Sequence, residues 1–430
     1  MNCTMKLFFK RPSILFIAMV ALTVSCKAQP SVILTLDFIP KDQNLSLFGP
    51  DAHLSDYWNL DFNGTFLEEN PGVLDSFKEH LSGDKIWGDG VVESVKLTKN
   101  EDQYTCTVLF SNPATAIEDK AFEGIWFLTS ISIPNTVTRI GDGAFERCLC
   151  LSSISIPDSV TEIGSSAFKD CFLLTNLRIP NSVIEIGSCA FRDCGFSSPN
   201  GLTVNIPNSM KIIDSQVFYE STICQITIPD SVTEIGISAF GGCAYLTSIS
   251  IPKSVTTIDY GAFENTGLTS FIIPDFVTNW EECVFDGCEN LSNVIIPNSW
   301  TEIPEGFFTG CSGLSNITFP KSVKKIGDYA FSNSGLISID IPDTVTAIGE
   351  GAFRDSDSLT SVTIPDSVTA IGENAFSYCR GLTSIIIPKS VTQFGDRVFY
   401  GCDNLSRIKI PQSLQDSLWY LPSDTTLTYY

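Results

Sequence analysis

The sequence predicts an α/β-type solenoid of about thirteen stacked units, with short parallel strands on the concave face and irregular turns on the convex face. Three observations predict it. Ile-Pro or Phe-Pro recurs with Pro at 134, 157, 180, 207, 229, 252, 274, 297, 320, 342, 365, 388 and 411, in steps of 22 or 23 residues apart from one of 27. Eleven residues after each of the first twelve prolines stands a Phe, from Phe145 to Phe399, and Phe122 belongs to a partial unit ahead of them. The stretches Ile156–Cys171 and Ile228–Cys243 differ at only three positions in sixteen. A fixed period of this length means one supersecondary unit stacked many times, each coil burying too little surface to stand alone.

Each unit reads Leu-x-x-Ile-x-Ile-Pro-x-x-Val-x-x-Ile-Gly-x-x-Ala-Phe-x-x-Cys. In Leu246–Pro252, Ile249 and Ile251 alternate with Ser248 and Ser250, the period of a strand with one buried face. Pro252 ends the strand because it cannot donate to a ladder. Val255, Ile258, Ala262 and Phe263 follow at spacings of three and four and turn the chain back over the core. The Gly after Ile, as in Gly164 or Gly236, is expected to permit a tight turn. Thirteen strands about 4.8 Å apart would make a sheet about 60 Å long, with open ends that need covering.

This unit resembles the BspA-like subclass of leucine-rich repeat proteins, in its Ile-Pro strand end and its Ile-Gly-x-x-Ala-Phe-x-x-Cys turn. The resemblance covers about Ala114 to Gln412. It implies a leucine-rich repeat solenoid and a surface protein of a bacterium, or of a protist, that adheres to host matrix proteins or other cells. Fold alone does not fix function.

Outside the repeats, residues 1–25 read as a signal peptide. Lys6, Lys10 and Arg11 precede an apolar run, Ser13–Val24, that is too short to span a bilayer. The run ends Leu22-Thr23-Val24-Ser25-Cys26, similar to a bacterial lipobox but with Thr23 where Leu is usual. Lipidation of Cys26 and plain secretion both fit. Residues 26–113 read as an N-terminal cap or small α+β domain. Its expected elements are a strand at Val32–Leu36, a hairpin turning at Asn63-Gly64, a helix at Val73–Leu81 and a second hairpin from Val92 to Phe110. The solenoid follows at 114–411, then a C-terminal cap at 412–430 containing Trp419 and Tyr420.

Composition narrows the chemistry. The chain has 430 residues, 26 Lys and Arg against 49 Asp and Glu, and a formal net charge of -23. That argues against nucleic acid, which needs clustered cations, and leaves the membrane reachable only through a lipid anchor. His53 and His80 are the only histidines, so the repeats hold none for base catalysis or metal ligation. No phosphate loop, zinc-protease helix or nucleophile elbow occurs, and the sequence implies neither an enzyme nor a cofactor. An enzyme built around Asp51, His53, Asp56 or His80 is the competing reading.

Eight of the fifteen cysteines share one register three residues after Phe: Cys148, Cys171, Cys194, Cys243, Cys288, Cys311, Cys379 and Cys402. Ile125, Ser221, Thr266, Ser334 and Ser356 hold that place elsewhere. A ligand or bridge would not exchange with Ile or Thr, so free, packed thiols are expected. Asp158, Asp230, Asp275, Asp343 and Asp366 follow Pro as solvated turn residues.

The outward strand face, two and four residues before each Pro, carries the candidate binding site. It is short, polar and nearly uncharged. Its candidate contact residues are Arg178, Asn205, Thr227, Ile272, Ile295, Thr318, Asp340, Thr363 and Ile386. Ile272 and Ile295 are neighbouring apolar exceptions of the kind that marks a contact site. The adjoining units are irregular: Trp280 takes the Ile column, Trp300 the Val column, and Pro304 replaces the Gly. A host matrix or cell-surface protein is the expected partner. A glycan is the alternative, which the lack of aromatic residues at these outward positions does not favour. A structural envelope protein without a ligand is a third reading.

Overall fold

The computed structural model describes Ser25–Lys27, Ser31–Asp37 and most of residues 76–430. Within the last span 77–78, 83–85, 101–102, 127, 129, 176, 196–200, 419 and 422–424 lie outside the described residues. So do the signal-peptide stretch up to residue 24, His53 with its neighbouring acids, and the hairpin expected at Asn63-Gly64.

The described part of residues 25–112 forms a four-stranded antiparallel sheet in the order Ser25–Lys27, Ser31–Asp37, Gln103–Asn112, Val91–Asn100. The last two strands close as a hairpin at Asn100 and Gln103, where the sequence places its second hairpin. Ser76 and Glu79–Leu81 are helical.

From Ala116 onward the chain is a parallel β-solenoid, and three separate ladders join its coils. The first consists of the strands before each Pro, such as Ser153–Ser155 and Asn293–Ile295. Their middle residues point inward and their serines and asparagines outward. The second consists of two-residue strands at the Glu-Ile position, such as Glu162–Ile163 and Ala370–Ile371. The third is a hydrogen bond from each Phe N–H to the carbonyl of the residue before Phe in the next coil. It runs from Phe122 to Ala144 and onward to Phe376 and Val398 at 2.7–3.2 Å.

Two of these ladders lie within the turns behind the strand face. The Phe ladder is unbroken. The Glu-Ile ladder is interrupted twice, between Ile186 and Ile212 and between Trp280 and Glu302. At the second break Pro304 occupies the position whose N–H elsewhere donates to the Ile carbonyl one coil back, as Gly327 does to Ile303. Proline has no such donor. The strands before Pro pair mostly two by two, and residues 248–250 and 316–318 are not strands.

The core is a set of columns. Thirteen Phe rings, from Phe122 to Phe399, stack with centroids 5.1–5.9 Å apart and ring planes within 18° of parallel. Each ring is at most 1% exposed. Offset stacks at such distances are favourable beyond the area they bury. Trp87 covers the first ring edge-on at 5.7 Å and donates its indole N–H to the Leu81 carbonyl. At the far end Thr426–Tyr429 adds a parallel strand beside Arg407–Ile410. A 3-10 helix over Gln412–Leu418 buries Leu414 and Leu418.

Two residues per coil, two before and two after each Phe, hold positive φ. Ser166 and Asp170 have φ of 55° and 61°, and Gly306 and Gly310 have 59° and 70°. The Gly after Ile is not one of them. At Gly164 an added Cβ would lie 2.6 Å from the Asp142 nitrogen. The glycine column therefore allows close approach of neighbouring coils rather than a left-handed turn, contrary to the sequence expectation.

Candidate functional site

The outward strand face is where the sequence places it. All nine candidate residues are exposed, because a period of two puts every second side chain of a half-buried strand into solvent. Register brings six of them into neighbouring pairs: Asn205 beside Thr227, Ile272 beside Ile295, and Asp340 beside Thr363. Ile386 pairs instead with Lys409. Arg178 is held by Asp158 at 3.3 Å, which removes it as a free cation.

Ile272 is 70% exposed and Ile295 53%. Behind them aromatic rings pack closely. Phe271 stands 4.7 Å from Phe285, Trp280 is edge-on to Trp300 at 5.9 Å, and Phe307 contacts both Trp rings. Next to Ile295 the unpaired strand position at 316–318 leaves an open depression of about 430 Å³. Asn293, Asn298, Asn316, Thr318 and Lys321 surround it. Thr318 thus sits in a hollow beside Ile295 rather than on a continuous sheet. The sequence does not show this hollow, because it arises from a missing ladder and not from a residue type.

The cysteine register is a hydrogen-bonding column. Each of its eight thiols donates to the carbonyl of a Phe in a preceding coil at 3.0–3.3 Å. In units without Cys, the hydroxyls of Ser221 and Ser356 donate to Phe191 and Phe331 in the same way. The twelve cysteines from Cys148 onward are free. Burial pushes the column's thiols up, Cys243 to about 12, so they stay protonated and weakly nucleophilic.

Among the described residues no group of three or more His, Cys, Asp or Glu side chains could hold a metal ion. His80 donates its Nε2–H to the Ala121 carbonyl at 2.5 Å. Among the described carboxylates the one with a strongly raised pKa is Asp193, lifted to about 7 chiefly by burial on the turn ridge, with Glu220 and Asp170 adding to the effect. Cys26 lies in the short strand paired with Ser31–Asp37, opposite Val32. No helix among the described residues is long and apolar enough to cross a membrane.

A family model described as the BspA type leucine rich repeat region matches residues 115–243, 162–292, 211–337 and 324–429. The chain belongs to the BspA-type leucine-rich repeat family. Among solved structures it is similar to a leucine-rich repeat protein from Bacteroides ovatus, 27% identical, with a TM-score of 0.52 over 78% of this chain and 90% of that one. It is also similar to a leucine rich cell surface protein from Faecalibacterium prausnitzii, 28% identical, with a TM-score of 0.46 over 78% and 86%. The curated proteins contain no match. Family and fold agree on a BspA-type repeat scaffold, which offers long regular surfaces rather than a cleft.

Proposed function

We propose that this chain is an exported surface protein that binds a macromolecule, a host matrix protein or a partner on another cell, through its strand face. The observation that carries this reading is the pair Ile272 and Ile295. Two branched apolar side chains stand side by side in solvent, in register, next to a hollow, on a face made mostly of short polar groups, whereas the exposed Ile386 has Lys409 beside it. Apolar surface of this kind gains most when a partner covers it, and a long rigid face adds many weak contacts to that anchor. Acylated Cys26 would hold the protein to its membrane.

The test is saturable binding to immobilised matrix proteins, compared with an Ile272→Asp/Ile295→Asp variant of unchanged circular dichroism and melting. Loss of binding in the folded variant supports the reading. Binding that persists places the site elsewhere, and no binding to any matrix protein removes adhesion of this kind. For the anchor, fatty-acid labelling in the native host should be lost in Cys26→Ser. A labelled Cys26→Ser protein, or an unlabelled wild type, overturns acylation at Cys26.

A further inference from the structure

The strand face carries almost no charge until its last coil, where three exposed cations occur and two of them lie beside one ring. Arg407 and Lys409 are exposed on Arg407–Ile410, and Lys389 is exposed just beyond Ser384–Ile386. Tyr430 reaches the same face because Thr426–Tyr429 pairs alongside, with Arg407 next to Thr426 and Lys409 next to Thr428. The Lys409 Nζ lies 4.3 Å from the Tyr430 ring centroid and the Lys389 Nζ 5.1 Å. The ring is still 42% exposed. Among the described residues, none of these three cations is in an ion pair, whereas Arg178 elsewhere on the face is paired with Asp158.

In a chain of net charge -23 this patch inverts the local field. The three strands Ser384–Ile386, Arg407–Ile410 and Thr426–Tyr429 also form one bonded sheet, wider than the paired strands elsewhere on this face. Exposed hydroxyls of Ser384 and Thr426 stand on it.

We propose that Lys389, Arg407, Lys409 and Tyr430 form a binding site for an acidic polysaccharide, a glycan chain bearing sulfate or carboxylate groups. The cations take the acid groups through charge-assisted hydrogen bonds. The ring, fixed by two ammonium groups through its π face, offers its exposed part to the C–H face of a sugar. The neighbouring hydroxyls suit sugar hydroxyls. An acidic peptide would use the cations and leave the ring idle. The site is separate from Ile272 and Ile295, so either assignment can fail alone.

The experiment titrates the purified protein with heparin, with polygalacturonate and with polyglutamate. Binding to heparin or polygalacturonate is expected, and the arm that binds names the acid group. Lys389→Gln/Arg407→Gln/Lys409→Gln should weaken it about tenfold or more. Tyr430→Ala should weaken it about threefold, and Tyr430→Phe, which keeps the ring, should not. Ile272→Asp/Ile295→Asp should leave it unchanged. The proposal is overturned if neither polysaccharide binds, or if the triple variant binds as well as wild type. It is also overturned if polyglutamate binds equally and Tyr430→Ala has no effect, which would make the patch a site for acidic peptides.

Discussion

The thiol of Cys171 donates to the carbonyl of Phe145, 3.3 Å away in the preceding coil. Both residues are fully buried. A small donor at this register ties the turn of one coil to the ring column of the one before. A group that donates should therefore be exchangeable and one that does not should be costly. Cys171→Ser should cost less than about 1 kcal/mol. Cys171→Ala, which leaves the Phe145 carbonyl with only the Cys148 N–H at 3.1 Å and opens a small void, should cost more, about 1–1.5 kcal/mol. Urea unfolding of the two variants checks the order.

Alkali should unfold the solenoid. The buried thiols Cys150, Cys243 and Cys402 are raised to about 12 and Cys288 to about 11, with desolvation the largest cause in each. In the unfolded chain they titrate near their ordinary value of 9.0. Below pH 9 both states hold the proton and the stabilisation is complete. Between pH 9 and 12 the unfolded chain loses protons that the folded one keeps, so stability falls as pH rises. Each such thiol contributes about 1.4 kcal/mol per pH unit in that window. A melting temperature that stays flat from pH 8 to 11 would contradict this.

Asp193 works in the same direction at lower pH. Its folded pKa of about 7 exceeds the ordinary 3.8. Its contribution is complete below pH 4 and lost as pH rises towards 7. Asn tolerates the positive φ of 57° at this position. Asp193→Asn should therefore stabilise the protein by about 1–3 kcal/mol at pH 8 and make little difference at pH 4. Equal effects at both pH values would show that charge is not the cause.

Two glycines separate close approach from backbone conformation. At Gly164, where φ is ordinary, an added Cβ would meet backbone atoms of the previous coil within 3 Å; at Gly124, with φ of 71°, it would meet nothing within 4 Å. Gly164→Ala should cost about 2–3 kcal/mol through forced separation of coils. Gly124→Ala should cost about 1 kcal/mol from conformation alone. Reversal of that order would return the glycine column to a turn role.

Removing a ring from the middle of the stack should be severe. Phe240 is fully buried between Phe218 and Phe263, 5.7 Å from each. Phe240→Ala should cost about 3–5 kcal/mol, and hydrogen exchange should show the loss spreading to both neighbouring coils, since repeat arrays are stabilised by nearest-neighbour contacts.

The core columns follow from the repeat period alone. A period of 22 or 23 residues fixes which positions stack, and alternation around Ile-Pro fixes which face water, so the repeat alone sets Ile272 and Ile295 side by side. It also determined the exchangeability of Cys171's register, because Ser and Thr replace it in sister units. Features that depend on backbone bonds between coils come from the folded chain. The hollow beside Thr318 follows the loss of a ladder that has no residue pattern of its own, unlike the break at Pro304, whose missing N–H the repeat register marks. The role of Gly164 was likewise invisible, since glycine serves positive φ and close packing equally well. Tyr430 joined Lys389 and Lys409 only because a strand outside the repeat pairs with the last coil, and pairing between segments of different pattern is set by three-dimensional proximity, not by sequence period.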